Sequence, residues 1–352
     1  MIIDVIKIFI PTATAFFIGI AITPFVSHYL YKHKMWKKKS GNLVGLGGGG
    51  TPIFNELHKE RDTGTPRMGG IIIWASVLAT IFFFWLLAQV SSSEFWKEMD
   101  FLSRGQTWLP LFTLIAASLV GLVDDLFQIK GKGDYLAGGL SLKVRISLVV
   151  LIALIGAWWF FVKLGVSGIM VPFYGELELG LLFIPLFVIT MVALFSGGVI
   201  DGIDGLSGGV MTSIFSAYAL IAFFQNQIDL AVFSAVIAGG TLAFLWFNIP
   251  PARFYMTETG ILGLTATLTV VAFLTKAVVV LPIIALPLLI APTSSLIQVL
   301  SKRFRHGKKV FLVAPIHHHF EALGWPSYKV TMRFWIISII FAMIGVVIAL
   351  IG

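Results

Sequence analysis

LLFIPLFVITMVALFSGGVIDGIDGLSGGVMTSIFSAYALIAFF, residues 181–224, holds two apolar runs hinged on the acidic string DGIDG at 201–205. Each run is about as long as a helix needs to cross the hydrocarbon core, roughly 20 residues. No water is available there, so a single segment must satisfy its own backbone, and a helix does so. A β-barrel would show about ten residues of alternating pattern per strand, and that pattern is missing. Two carboxylates therefore stand where two membrane helices return to water.

The rest of the chain repeats this design. Of its 352 residues, 58% are hydrophobic and 12% charged, against about 25% charged in soluble domains. So few charges could not cover a water-soluble surface. Ten apolar spans can be drawn, at about 8–31, 69–90, 107–123, 144–162, 181–200, 207–224, 230–247, 260–274, 277–299 and 333–351. The eighth is short, which suggests a tilted or half-buried helix. The expected architecture is all-α, a polytopic membrane protein of about ten transmembrane helices forming a single domain over 1–352. The first span begins with an early Asp4 and shows no small-residue cleavage site, so it reads as a membrane helix and not a signal peptide. No cysteine occurs, which excludes disulfides and thiolate metal sites.

The loops after the odd-numbered spans, counted through Arg333, hold 20 of the 25 lysines and arginines. The positive-inside rule puts these loops in the cytoplasm and both termini outside. The net charge of +8 thus reads as topology and as affinity for anionic lipid or phosphate, with no nucleic acid implied. NLVGLGGGGTPIF, residues 42–54, reads as a flexible loop. It lacks the GK[ST] of a phosphate-binding P-loop and no strand precedes it.

Ionisable residues at membrane depth are costly and usually functional. Asp124 and Asp125 end the third span, Asp201 and Asp204 follow the fifth, and Glu258 follows the seventh, all on the same side. Adjacent carboxylates repel, so one tends to hold a proton unless a cation is near. Carboxylates together with substrate phosphates suit Mg²⁺, and phosphoryl transfer needs charge neutralisation and positioning. PIHHHFE adds His317, His318 and His319. Three consecutive histidines cannot face one point on a helix, so contact with phosphate or a leaving group fits better than a tridentate metal site. GTPRMGG, residues 64–70, gives a rigid turn and then close backbone approach at the second span.

Taken together, GTPRMGGI, GLVDD, DGIDGLSGG, FNIPPARFYMTETG and APIHHHFEALGWPSYKVTMRFWIIS resemble, in order and spacing, the polyprenyl-phosphate N-acetylhexosamine-1-phosphate transferases. The similarity is greatest to the branch whose donor is UDP-MurNAc-pentapeptide. It covers nearly the whole chain. The resemblance implies Mg²⁺-dependent transfer of the phospho-sugar from UDP to undecaprenyl phosphate, giving lipid I and UMP at a bacterial plasma membrane, in a protein that often pairs as a homodimer. It implies catalytic roles for Asp124, Asp125 and His317, with Asp124 as the base toward the lipid phosphate or the pair as the source of a nucleophile. It implies substrate binding by Asp201, Asp204 (beside the uracil pocket), Asn248, Tyr255 (at a usual phenylalanine), His318, His319, Lys143 and Arg145. Glu258 stands at the family's magnesium aspartate.

Other departures from the family pattern are Gly198 for an asparagine, Ile200 for a threonine and Arg67 for a threonine. The lysine that usually precedes GTP is displaced, with His58, Lys59 and Arg61 nearby. Competing readings are a UDP-GlcNAc donor and a lipid-binding or transport relative without turnover.

Overall fold

The structure is a computed structural model that describes residues 2–37, 64–131 and 139–352. The glycine-rich segment and His58, Lys59 and Arg61 lie outside the described residues. The helices are α1 (Ile2–Lys32), α2 (Ile71–Val90), α3 (Glu94–Glu98), α4 (Trp108–Lys130), α5 (Leu142–Trp158), α6 (Phe183–Ser196), α7 (Leu206–Phe224), α8 (Ile228–Asn248), α9 (Thr257–Leu274), α10 (Leu281–Ile284), α11 (Leu286–Phe304), α12 (Ile316–Ala322) and α13 (Ser327–Ile351). Among the described residues, nine helical spans are long and apolar enough to cross a membrane. Their outward faces carry Phe25, Phe82, Trp246 and Ile336 in the open, as expected where lipid is the solvent.

The eighth and ninth apolar spans take different forms. The short eighth span becomes a full helix, α9, which starts at Thr257, lies at the centre of the bundle and is buried along nearly its whole length. The ninth span is the broken one. Pro282 starts the four-residue α10, and Pro287 starts α11. Proline removes a helix donor and clashes with the carbonyl four residues back, so the run read as 277–299 cannot continue through Ala285. Beyond the break, α11 turns a polar face inward, with Ser294, Gln298 and Ser301 buried. It is amphipathic and falls outside the nine.

α9 is central because its neighbours lack side chains where they meet it. A Cβ on Gly121 of α4 would collide with the Glu258 carbonyl, and one on Gly70 would collide with Gly260. Small residues let membrane helices approach backbone to backbone, and this brings the ends of α2, α4 and α9 together.

Two ends of the bundle can be told apart by their contacts. At one end, Lys7 Nζ meets Asp229 Oδ1 at 2.8 Å and Gln225 and Gln227 donate to the Thr275 and Leu274 carbonyls. A hairpin of β1 (Gly168–Val171) and β2 (Gly175–Glu178) lies there, pairing Gly168 with Glu178 and Val171 with Gly175. These residues join the fourth and fifth apolar spans. Phe173 N donates to the Gly352 carbonyl, so both chain ends sit at this end. The loops carrying the carboxylates and histidines gather at the other.

Candidate active site

The last turn of α4 presents Asp124 and Asp125, both buried. Their surroundings differ. Asp125 Oδ2 accepts from Thr257 Oγ1 at 2.5 Å, from Thr259 Oγ1 at 2.6 Å and from Thr259 N at 2.9 Å. Its Oδ1 accepts from Arg67 Nη2 at 3.1 Å and Nε at 3.3 Å. Five donors satisfy both oxygens. Asp124 accepts from Gln128 Nε2 at 2.7 Å, one turn along α4, and from Leu140 N at 2.6 Å. Arg145 also stands beside it, with Nη1 4.0 Å from Oδ2.

The same Nη1 is 2.6 Å from Glu258 Oε1. Asp124 and Glu258 therefore face one point from two helices, and a guanidinium nitrogen stands at that point. Among the described residues no group of three or more histidines, aspartates or glutamates is close enough to hold a metal ion. Two carboxylates suffice for Mg²⁺, which keeps its waters and completes its shell from substrate phosphates. The donor set thus fits the implied cation at Asp124 and Glu258. Asp125, fully engaged, is not part of it.

Thr257 knits the cluster together. Its Oγ1 also accepts from Met68 N at 3.1 Å, and its N–H donates to Asp201 Oδ2 at 2.8 Å. It adopts φ +57, a region a β-branched residue seldom visits, and three hydrogen bonds hold it there. Glu258 is the next residue, so this constraint aims the carboxylate. Asp201 Oδ1 accepts from Ser207 Oγ at 2.6 Å. Desolvation raises the Asp201 carboxyl above the ordinary range, against the opposing pull of the Ser207 and Thr257 hydrogen bonds.

The DGIDG loop is tied down on its far side. Asn248 Oδ1 accepts from Gly205 N at 2.9 Å, and its Nδ2 donates to the Phe254 carbonyl at 2.8 Å. Asn248 thereby fastens the loop to the PPARF segment. Asp204 Oδ2 accepts from Ala252 N at 3.1 Å. Tyr255, half-buried, uses its backbone to join the GTP segment, its N–H donating to the Pro66 carbonyl at 2.9 Å and its carbonyl accepting from Gly69 N at 2.8 Å.

The histidines divide two to one. A Cβ placed on Gly202 would lie 2.6 Å from His318 Nε2 and 2.8 Å from His317 Nε2, so two imidazole edges converge on the backbone between Asp201 and Asp204. His318 Nδ1 is fixed by Glu321 Oε2 at 2.7 Å, and Glu321 is held in turn by Ser327 Oγ at 2.6 Å. His319 turns the other way. Its Nδ1 accepts from Leu312 N at 3.1 Å and its ring packs on Phe311. The histidine segment is braced by α11, where Gln298 pairs with Val310 and Phe311 and Ser294 Oγ accepts from Ile316 N. That use explains the polar face of α11.

These elements also lie within the reach of relatives. The profile of Glycosyl transferase family 4 matches residues 107–276. A phospho-N-acetylmuramoyl-pentapeptide-transferase of Anoxybacillus flavithermus is 33% identical over 291 residues, covering 82% of this chain and 84% of the relative. The chain belongs to the phospho-N-acetylmuramoyl-pentapeptide-transferase family. A member from Chloroflexus aggregans is 30% identical across 99% of this chain and 91% of its own length, and one from Borrelia turicatae is 34% identical across 82% of each.

Against that family pattern, the structure brings Asp124, Glu258 and Arg145 to one point, and Asp201, His317 and His318 around Gly202. Lys143 is exposed on the first turn of α5, and His319 lies on the 311–312 segment. Sequence reasoning passed over Arg67, Thr257, Thr259, Gln128 and Glu321 as members of the site. Arg67 carried a signal, a cation beside the first glycines of α2. The two threonines carried none, because hydroxyls at helix starts are ordinary.

Proposed function

We propose that this chain transfers phospho-MurNAc-pentapeptide from its UDP carrier to undecaprenyl phosphate, giving lipid I and UMP, with Mg²⁺ as cofactor. The reaction takes place at the cytoplasmic face of a bacterial plasma membrane. The observation that carries the reading is the convergence of Asp124 and Glu258 on one cationic point, beside the His317–His318 edge, at the basic end of the bundle. That end holds most of the lysines and arginines, so it faces the cytoplasm and both termini face outward.

The lipid phosphate, confined to the membrane boundary, supplies an oxygen that attacks the sugar-side phosphorus of the diphosphate. A new P–O bond forms, the P–O bond to UMP breaks, and UMP leaves with the electron pair. Asp124, oriented by Gln128 and Leu140 N, takes the acceptor's proton where the acceptor arrives protonated. Asp125 positions: its charge fixes Arg67 and the Thr257–Thr259 turn that aims Glu258. His317 and His318 present Nε2 toward the departing phosphate, the second held in that orientation by Glu321. A His whose Nδ1 donates offers Nε2 as an acceptor, and a protonated one donates from both nitrogens. Asp204 and Tyr255 would meet the uridine end of the donor, as the family resemblance implies, and Asn248 holds their two segments together through Gly205 and Phe254. Bound Mg²⁺ would neutralise charge developing on the diphosphate, held by Asp124 and Glu258.

A transporter built on this fold should keep its ionisable residues near the bilayer midplane, whereas these lie at one edge. The test is UMP release from UDP-MurNAc-pentapeptide and a polyprenyl phosphate, with and without Mg²⁺. No UMP from protein that runs beside a working family member refutes the proposal. Competition with UDP-GlcNAc identifies the donor.

A further inference from the structure

We infer that Arg145 is a resident cation that a divalent ion must displace, so that the guanidinium and the metal exchange at one position between Asp124 and Glu258. Arg145 Nη1 sits 2.6 Å from Glu258 Oε1 and 4.0 Å from Asp124 Oδ2. An ion ligated by those same oxygens would need that space and would meet like charge there. Arg145 side chain is 13% exposed and Glu258 24%, so the pair is shielded from water but not sealed. Arg145 lies in the first turn of α5, where it can swing outward without unpacking a helix. Arg67 is bound differently: it holds Asp125, which is fully buried and keeps three other donors. Of the two guanidiniums, Arg67 stays and Arg145 leaves. The exchange replaces one positive charge between two carboxylates by two, and a cation stands beside them before and after it, which matters because an uncompensated buried charge is costly.

This inference rests on the cation part of the proposed function and deepens it. The tests use the full chain in detergent with metal alone, so a protein that exchanges normally yet releases no UMP would sink only the transferase reading. In the first test, Mn²⁺ binding is followed by electron paramagnetic resonance. Arg145→Gln is expected to tighten Mn²⁺ binding roughly tenfold, because a like charge leaves the site. Lys130→Gln, at an exposed position on the same end, is expected to change binding less than about twofold.

The second test needs no variant. Phenylglyoxal labelling of Arg145, read by peptide mass spectrometry, is expected to rise several-fold when Mg²⁺ is added, while labelling of Arg67 stays level. Mn²⁺ binding that is unchanged or weaker in Arg145→Gln overturns the inference. So does Mg²⁺ that leaves Arg145 labelling level or lowers it, and so does the absence of Mn²⁺ binding in both proteins.

Discussion

Changing Asp125 to asparagine separates positioning from chemistry within the aspartate pair. The substitution keeps the shape and removes the charge that Arg67 holds at 3.1 and 3.3 Å. It also places an amide among donors, because Thr259 N and the Arg67 nitrogens can only donate. Breaking a buried ion pair by neutralising one partner costs about 3–5 kcal/mol. With an unfolding entropy of about 2.1 cal/mol/K per residue, a chain of this size shifts its melting temperature by about 1–2 °C per kcal/mol. Asp125→Asn should therefore lower the melting temperature by roughly 4–7 °C.

Asp124→Asn has a milder structural effect. Two hydrogen bonds hold its carboxylate, from Gln128 and Leu140, and the amide oxygen can keep one of them. Its stability loss should be about 1–2 kcal/mol, while turnover is abolished. The two variants are compared by thermal unfolding in detergent and by UMP release from the folded fraction. A double-mutant cycle with Arg67→Thr completes the test. The stability losses of Arg67→Thr and Asp125→Asn should overlap by about 1–3 kcal/mol, because both remove one interaction. Strict additivity, or an Asp125→Asn protein that melts like the wild type yet is inactive, would refute the division of labour.

Other perturbations follow from the same geometry. Gly202→Ala should cut kcat at least about tenfold and lower the melting temperature by about 1–6 °C, since the new methyl would sit 2.6 and 2.8 Å from two buried imidazole nitrogens and push them from position; an unaltered kcat would exclude them from the reaction. Thr257→Val removes the hydroxyl shared by Asp125 and Met68 N and should cost about 2–4 kcal/mol in unfolding measurements. Glu258→Asp should retain Mg²⁺-dependent UMP release, and Glu258→Ala should lose it; full activity in the alanine variant would remove Glu258 from the cation site. Gln298→Ala releases Val310 and Phe311 and should lower kcat several-fold without altering Mn²⁺ binding.

Much of this was legible in the sequence for a simple reason. Hydropathy over a whole span is a sum of some twenty terms, and it survives local error, so most of the spans emerge. It fails where backbone chemistry overrules side-chain polarity. Pro282 and Pro287 are apolar and add to the sum while ending the helix. It also fails to distinguish a lipid-facing helix from a protein-facing one, which is why the largely buried α9 reads from sequence as a short, tilted or half-buried span. The site was legible as a set of residue types at one membrane face, and its internal pairing was not. Nothing in a DD pair says which aspartate meets two threonines and an arginine from distant segments. Nothing in HHH says which ring turns to Phe311.

The departures from the family pattern gain meaning from that pairing. Arg67 and Glu258 are far apart in the chain, and each replaces a residue of different reach. In the structure they meet the same cluster: Arg67 adds a positive charge on Asp125, and the longer Glu258 reaches Arg145 at 2.6 Å. An aspartate at 258 would fall short of that contact by about one methylene, and a threonine at 67 would leave Asp125 with its three α9 donors alone. The two changes act on opposite sides of the Thr257–Thr259 turn, one stiffening its anchor and the other lengthening its reach toward α5. Glu258→Asp alone keeps UMP release, so the coupling is read on the other change: activity lost in Arg67→Thr should be partly restored in the Arg67→Thr, Glu258→Asp double variant. A double variant no more active than Arg67→Thr alone would show that the two positions are not coupled through the turn.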